Sequence, residues 1–189
     1  MRFNGGVTLR LSLESALGQT GATVTAFLEE LVGEPVDAHQ RCHVMIEAGT
    51  PNLLGVASGH PLLQRSTVLQ GRRSAKTYAH AASLLDPARL PGAFCHQLET
   101  SDDPIGRILT KEGISFTRFQ LPGPGELRVA EFAGTKPPED YVFARTYRVD
   151  IDGMAVMVIS EWFLPEIELY LGPSLSMVRN GRRVQGIRL

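Results

Sequence analysis

Hydrophobic and polar positions follow two rhythms along this chain, one helical and one alternating. Residues 23–32 (TVTAFLEELV) repeat at the helical interval. Phe27, Leu28 and Leu31 share a face, Thr23 or Thr25 is placed to cap it, and Gly33 ends it. In residues 9–17, Leu9, Leu13 and Leu17 recur every four residues and Leu9, Leu11 and Leu13 every two; the longer interval favours a helix. Residues 35–47 read as a strand and 49–60 as a loop. Residues 61–70 and 74–85 read as two strands joined at Gly71-Arg72-Arg73. Pro91 opens a short helix over 91–99. The run Ser101-Asp102-Asp103-Pro104 predicts a second helix start, with an acidic cap and proline at the first helical position. Residues 115–120 and 126–133 look extended around a Pro/Gly turn at Leu121 to Gly125. The clearest hairpin joins 140–151 to 154–164 through Asp152-Gly153. Its second arm, MAVMVISEWFL, is apolar on both faces and so belongs in the middle of a covered sheet. Hairpins in series with a few helices predict an α+β domain built on an antiparallel β-sheet flanked by helices.

Length and charge narrow the classes. The 189 residues suit one domain spanning 1–189, long enough to bury roughly 70% of its unfolded surface without a disulfide or metal staple. Nineteen basic residues against twenty acidic ones leave a net charge of -1, which removes the bulk electrostatic case for nucleic acid or an anionic membrane. Arg10 and Glu14 interrupt what would be the apolar core of a signal peptide, and the longest apolar stretch, Gly153 to Ile159, is too short for a membrane span. Cys42 and Cys95 make no disulfide framework. The expectation is a cytoplasmic, monomeric protein with a small-molecule partner, no nucleic acid and no membrane.

Two charged residues stand in places where charge is costly. Glu161 interrupts the apolar run from Met154 to Leu164, so its carboxylate must be paired, protonated or facing a cavity. Arg65 lies in a strand between Leu62-Leu63 and Val68-Leu69, where a guanidinium is a ready bidentate partner for a carboxylate. The plain alternative is that the two pair with each other or turn outward. The third feature is the helix start at Pro104, where Ile105 and Gly106 offer first-turn N–H groups suited to an anion, unless Asp102 or Asp103 caps them. Other candidates carry less. Cys42 and His43 are strand neighbours that point to opposite faces, so no metal site is expected. Gly123-Pro124-Gly125 has no following Lys-Ser/Thr and reads as a turn. His80, in an extended run with Tyr78 and Ala82, reads by itself as a hydrogen-bonded structural histidine.

Four blocks in order resemble the chorismate pyruvate-lyase family, the lyases that form 4-hydroxybenzoate. They are Leu62-Leu63-Gln64-Arg65-Ser66-Thr67-Val68-Leu69, Asp102-Asp103-Pro104-Ile105-Gly106-Arg107-Ile108-Leu109, Ala144-Arg145-Thr146-Tyr147-Arg148, and Val156-Met157-Val158-Ile159-Ser160-Glu161-Trp162-Phe163-Leu164-Pro165. The resemblance is best from about residue 60 to 166. It implies a ligand enclosed between an antiparallel sheet and flap-like helical segments. The family's carboxylate-binding arginine falls on Arg65, its helix-start N–H on Ile105 beside Gly106, and the glutamate that meets the product's hydroxyl on Glu161. A flap residue lies near Val24. One departure stands out. A second arginine that some members use for the enolpyruvyl portion aligns with Ala82, so His80, two residues away on the same strand face, and Arg145 or Arg148 become candidate substitutes.

The resemblance implies an elimination of pyruvate from chorismate that leaves 4-hydroxybenzoate and, because aromatisation drives it, needs no metal or organic cofactor. Arg65 and the Ile105 and Gly106 amides would seat the ring carboxylate. Glu161, in an apolar strand, would act as the acid near the ether oxygen. Two rivals remain: the same fold acting on another enol ether or secondary metabolite, which Ala82 favours, and a non-catalytic domain that binds a small carboxylate. No helix-turn-helix or basic recognition segment accompanies the second.

Overall fold

A computed structural model describes residues 23–49, 52–121 and 136–171. Helix α1 spans Val24–Val32, capped by the Thr23 hydroxyl accepting from the Ala26 N–H and ended by Gly33 in the left-handed region. Strands β1 (Val36–Glu47), β2 (Pro61–Gly71) and β3 (Thr77–Leu85) follow. After a short 3-10 turn come helices α2 (Gly92–Thr100) and α3 (Ile105–Lys111), then β4 (Thr117–Gln120), β5 (Phe143–Ile151) and β6 (Met154–Phe163). The six strands form one sheet in the order β1-β2-β3-β6-β5-β4, antiparallel throughout. The apolar β6 lies between β3 and β5, as its two apolar faces required, and Asp152 and Gly153 both take positive φ in the tight turn that precedes it. The expectations for 9–17, 126–133 and most of the turn from 121 to 125 fall outside the described residues.

The first hairpin differs from its expectation. Gly71 is not in the turn but is the last residue of β2, and the turn runs over 72–76. The Glu34 carboxylate sits where a Gly71 side chain would be, accepts from the Arg73 and Ser74 N–H groups at 2.8 and 3.0 Å, and takes the Tyr78 hydroxyl at 2.8 Å. A longer turn resets the pairing of β2 with β3, which matters below.

Residues paired across antiparallel strands share a face. Four rows therefore cross one face of the sheet in order: Leu63-Leu85-Met157-Val149, Arg65-Ser83-Ile159-Tyr147, Thr67-Ala81-Glu161-Arg145 and Leu69-Ala79-Phe163-Phe143. α1 covers the last row through Phe27 and Leu28, while Phe94 and Leu98 of α2 and Ile108 and Leu109 of α3 cover the first. The two middle rows, which carry the charges, lie between these covers. The opposite face is partly covered by Ala48, Leu54 and Val56, which pack with Leu62, Ala82, Leu84, Val158 and Trp162. No described helix is long and apolar enough to cross a membrane.

Candidate functional site

A cavity opens over the two middle rows. Its floor is Arg65, Thr67, Ala81, Ser83, Tyr147, Ile159 and Glu161; its roof is Thr23, Val24 and Thr25 at the start of α1 with Pro104, Ile105 and Gly106 at the start of α3. About 560 Å³ of empty space lies within this lining, counted together with the open solvent at its mouth. The roof exists because the two helix starts touch. A Cβ on Gly106 would run into the Thr23 side chain, so only glycine lets them close. Arg107 of α3 adds an ion pair to Glu29 of α1 at 3.1 Å.

The α3 start departs from its expected form in a way that bears on the site. Pro104 is the cap residue, with φ -60 and ψ 143, and no side chain caps the helix. The Arg107 and Ile108 N–H groups both turn back to the Pro104 carbonyl. Neither Asp102 nor Asp103 takes up the amides of Ile105 and Gly106, which stand at the cavity with no hydrogen bond from the described residues.

Arg65 and Glu161 do not pair with each other. Arg65 is 2% exposed, and its guanidinium reaches only neutral oxygens, Gln40 Oε1 and the Asp103 carbonyl, both at 3.4 Å. No carboxylate among the described residues forms an ion pair with it. Burial pulls the Arg65 guanidinium below its ordinary pKa, against the opposing charge of Asp102. Glu161 is equally buried and fully engaged: Arg145 Nε donates to Oε2 at 2.6 Å and the Tyr147 hydroxyl to Oε1 at 2.8 Å. Burial alone would lower the Arg145 pKa, but Glu161 beside it outweighs that and raises it; burial and the Glu161 charge push the Tyr147 hydroxyl up, so it stays a donor. Two strands and one row separate Arg65 from Glu161, roughly 12 Å between Cα atoms at standard sheet spacings. Both side chains rise from the same face of the sheet into the cavity.

The structure brings Arg65, Ile105, Gly106 and Glu161 to one cavity; Arg145 does not line it and holds Glu161 from behind. The structure does not bring His80 there. Ser83, not Ala82, pairs with Arg65, so His80 and Ala82 face the other side of the sheet. There His80 borders a second cleft with Arg41, Gln64 and Trp162. Burial and the Arg41 charge lower its pKa. Arg148 likewise turns away and pairs with Asp150. Among the lining residues to which sequence reasoning gave no site role are Thr25, Tyr147 and Arg118. Arg118, in β4, lies over the Tyr147 ring at 5.6 Å and brings a second cation to the cavity. Its only signal was an arginine in an extended stretch; nothing local marks it. Among the described residues no group of His, Cys, Asp or Glu side chains is placed to hold a metal ion.

An antiparallel sheet whose charged central rows are roofed by two helix starts defines a class: α+β domains that close a small polar chamber against a sheet. Within it, the family model for Rv2949c-like chorismate pyruvate-lyases matches residues 20–171, and the chain belongs to that family. Proteins named chorismate pyruvate-lyase from Mycobacterium tuberculosis H37Rv and Mycobacterium bovis are 29% identical over 119 residues, 60% of this chain and 58% of theirs. The match thus spans less than two thirds of those relatives. Among solved structures, the effector domain of PhnF from Mycobacterium smegmatis matches with a TM-score of 0.49 at 16% identity, covering 77% of this chain and 90% of that one. The ligand-binding domain of a GntR-family regulator from Bordetella bronchiseptica matches with a TM-score of 0.47 at 12% identity, over 69% and 86%.

Proposed function

We propose that this protein eliminates pyruvate from chorismate to leave 4-hydroxybenzoate. The observation that carries the reading is Arg65, a buried guanidinium with no described carboxylate partner, in one cavity with two uncapped amides and a buried glutamate. A charge so placed is costly unless an anion arrives to meet it. The ring carboxylate sits on Arg65 and the Ile105 and Gly106 N–H groups. The ring hydroxyl meets Glu161, whose orientation Arg145 and Tyr147 hold. Arg118 takes the carboxylate of the enolpyruvyl group, the task that neither Ala82 nor His80 is placed to do.

In the elimination, the carbon bearing the hydroxyl loses its hydrogen as a proton and the neighbouring carbon loses the ether oxygen. The departing enolpyruvate gains a proton at its methylene carbon to become pyruvate. The ring gains aromaticity, so no electrons enter or leave and the balance calls for no metal or organic cofactor. With Arg145 and Tyr147 both donating to it, Glu161 is an acceptor, and the role it suits is receiving the ring proton or holding the hydroxyl. This replaces the acid role expected from its apolar strand.

Purified protein incubated with chorismate and EDTA, followed by chromatography, tests the reading. Equimolar 4-hydroxybenzoate and pyruvate, abolished in Arg65→Ala, are expected. No product from folded protein that still binds 4-hydroxybenzoate would overturn catalysis and leave a binding domain.

A further inference from the structure

Among the described residues, Arg65 is held by neutral oxygens alone. Its Nε donates to Gln40 Oε1 and its Nη2 to the Asp103 carbonyl, both at 3.4 Å, while Nη1 takes no partner there. A buried guanidinium is best satisfied by a carboxylate, and a glutamate at position 40 would offer one at the same reach. We infer that Gln40 is a positioning residue: its amide oxygen holds the Arg65 guanidinium by Nε and leaves it without a counterion, so that the ligand's carboxylate supplies the missing charge. This rests on the function proposed above.

The backbone of β1 brings Gln40 to the site. Gln40 pairs with Thr67 and His43 with Arg65, so both share the face of two residues that line the cavity. On a regular strand, residues three apart face opposite ways. The register shift between Gln40 and Cys42 inserts Arg41 as an extra residue, and this bulge turns Gln40 and His43 to the same side. His43 then fixes the amide. Its Nδ1 lies 3.3 Å from the same Oε1, and in the tautomer that carries the proton there it donates to that oxygen. With a donor on each side, the oxygen end of the amide is the one that meets Arg65. The engaged Nε and Nη2 form one edge of the planar guanidinium. Nη1 and the second hydrogen of Nη2 are left for a carboxylate.

Calorimetric binding of 4-hydroxybenzoate to wild type, Gln40→Glu and Gln40→Met tests the inference, together with the ligand-free Tm of each, measured also in an Arg65→Ala background. Gln40 is exposed on an edge strand, so neither substitution disturbs the core. Gln40→Glu gives Arg65 a counterion of its own. It should raise the ligand-free Tm by about 2–4 °C and yet weaken binding about tenfold or more. Gln40→Met, which keeps the length and loses the oxygen, should weaken binding about five- to tenfold without raising the Tm. The Tm gain of Gln40→Glu should vanish in Arg65→Ala. A Tm that does not rise in Gln40→Glu, a rise that survives Arg65→Ala, or unchanged binding in either variant overturns the inference. Wild type that binds no 4-hydroxybenzoate overturns the functional reading instead, and the Tm comparison, which needs no ligand, still reads whether Gln40 holds Arg65.

Discussion

On the function proposed above, Arg65 and Arg118 each meet one carboxylate of the substrate and Glu161 its hydroxyl, and each has its own signature when removed. Arg65→Ala removes the seat of the ring carboxylate, so both product binding and turnover should fall, turnover by about 100-fold or more as for a lost charge-stabilising donor. Arg118→Ala touches only the group that leaves. It should raise KM for chorismate while leaving the Kd for 4-hydroxybenzoate near wild type, a split that steady-state kinetics and calorimetry together resolve. Glu161→Ala is a different matter, because it strands the Arg145 guanidinium in the interior. Chemical denaturation should show a loss of about 3–5 kcal/mol, so Glu161→Gln is the better probe of chemistry.

The elements were legible in the sequence to unequal degrees. β6 and its Asp152-Gly153 turn were plain, because an apolar run and a positive-φ dipeptide each have one good solution. Arg65, Glu161 and the Ile105 amide were visible because a charge or an open helix start is conspicuous in an apolar setting. The error at His80 was one of parity. A strand shifted by a single residue exchanges its faces, and the preceding turn is held by Glu34, which lies 39 and 40 positions upstream of the amides it accepts from. Arg118 and Thr25 were hidden for the same reason: only the assembled sheet and helices say what a lone polar residue faces. The proline at the α3 start misled more locally. Proline at the cap, rather than one place on, leaves two amides bare that an acidic cap would have filled. At this scale Gly106 carries the sharpest prediction. Alanine in a helix usually stabilises relative to glycine, yet here its methyl meets Thr23. Gly106→Ala should cost about 1–3 kcal/mol, as overpacking does, and weaken 4-hydroxybenzoate binding as the roof is forced apart.

For the whole molecule, Glu34 ties the end of α1 and the start of β1 to the β2–β3 turn. Its hydrogen bonds from Ser74 and Tyr78, joined by the backbone of Arg73 and Ser74, outweigh the effect of burial and bring its pKa from 4.5 down to about 2. A carboxylate more acidic in the folded than in the unfolded chain stabilises the fold above its unfolded pKa, and that contribution fades as pH falls toward the folded value. Stability should therefore decline between about pH 4.5 and 2. Glu34→Gln should flatten this part of the decline in denaturant titrations across the window.

The contact of Gly106 with Thr23 has a kinetic side. The chamber's ceiling is the meeting point of two helices that belong to different clusters of the core, joined at their tips by this touch and by the exposed Arg107–Glu29 pair. A molecule as wide as a benzene ring that leaves through the ceiling, rather than by the open side of the cavity, has to part those tips. The lifetime of the complex is then governed by how often the two halves of the core breathe against one another, so product should linger after the bond is broken and the first turnover should outrun all those that follow.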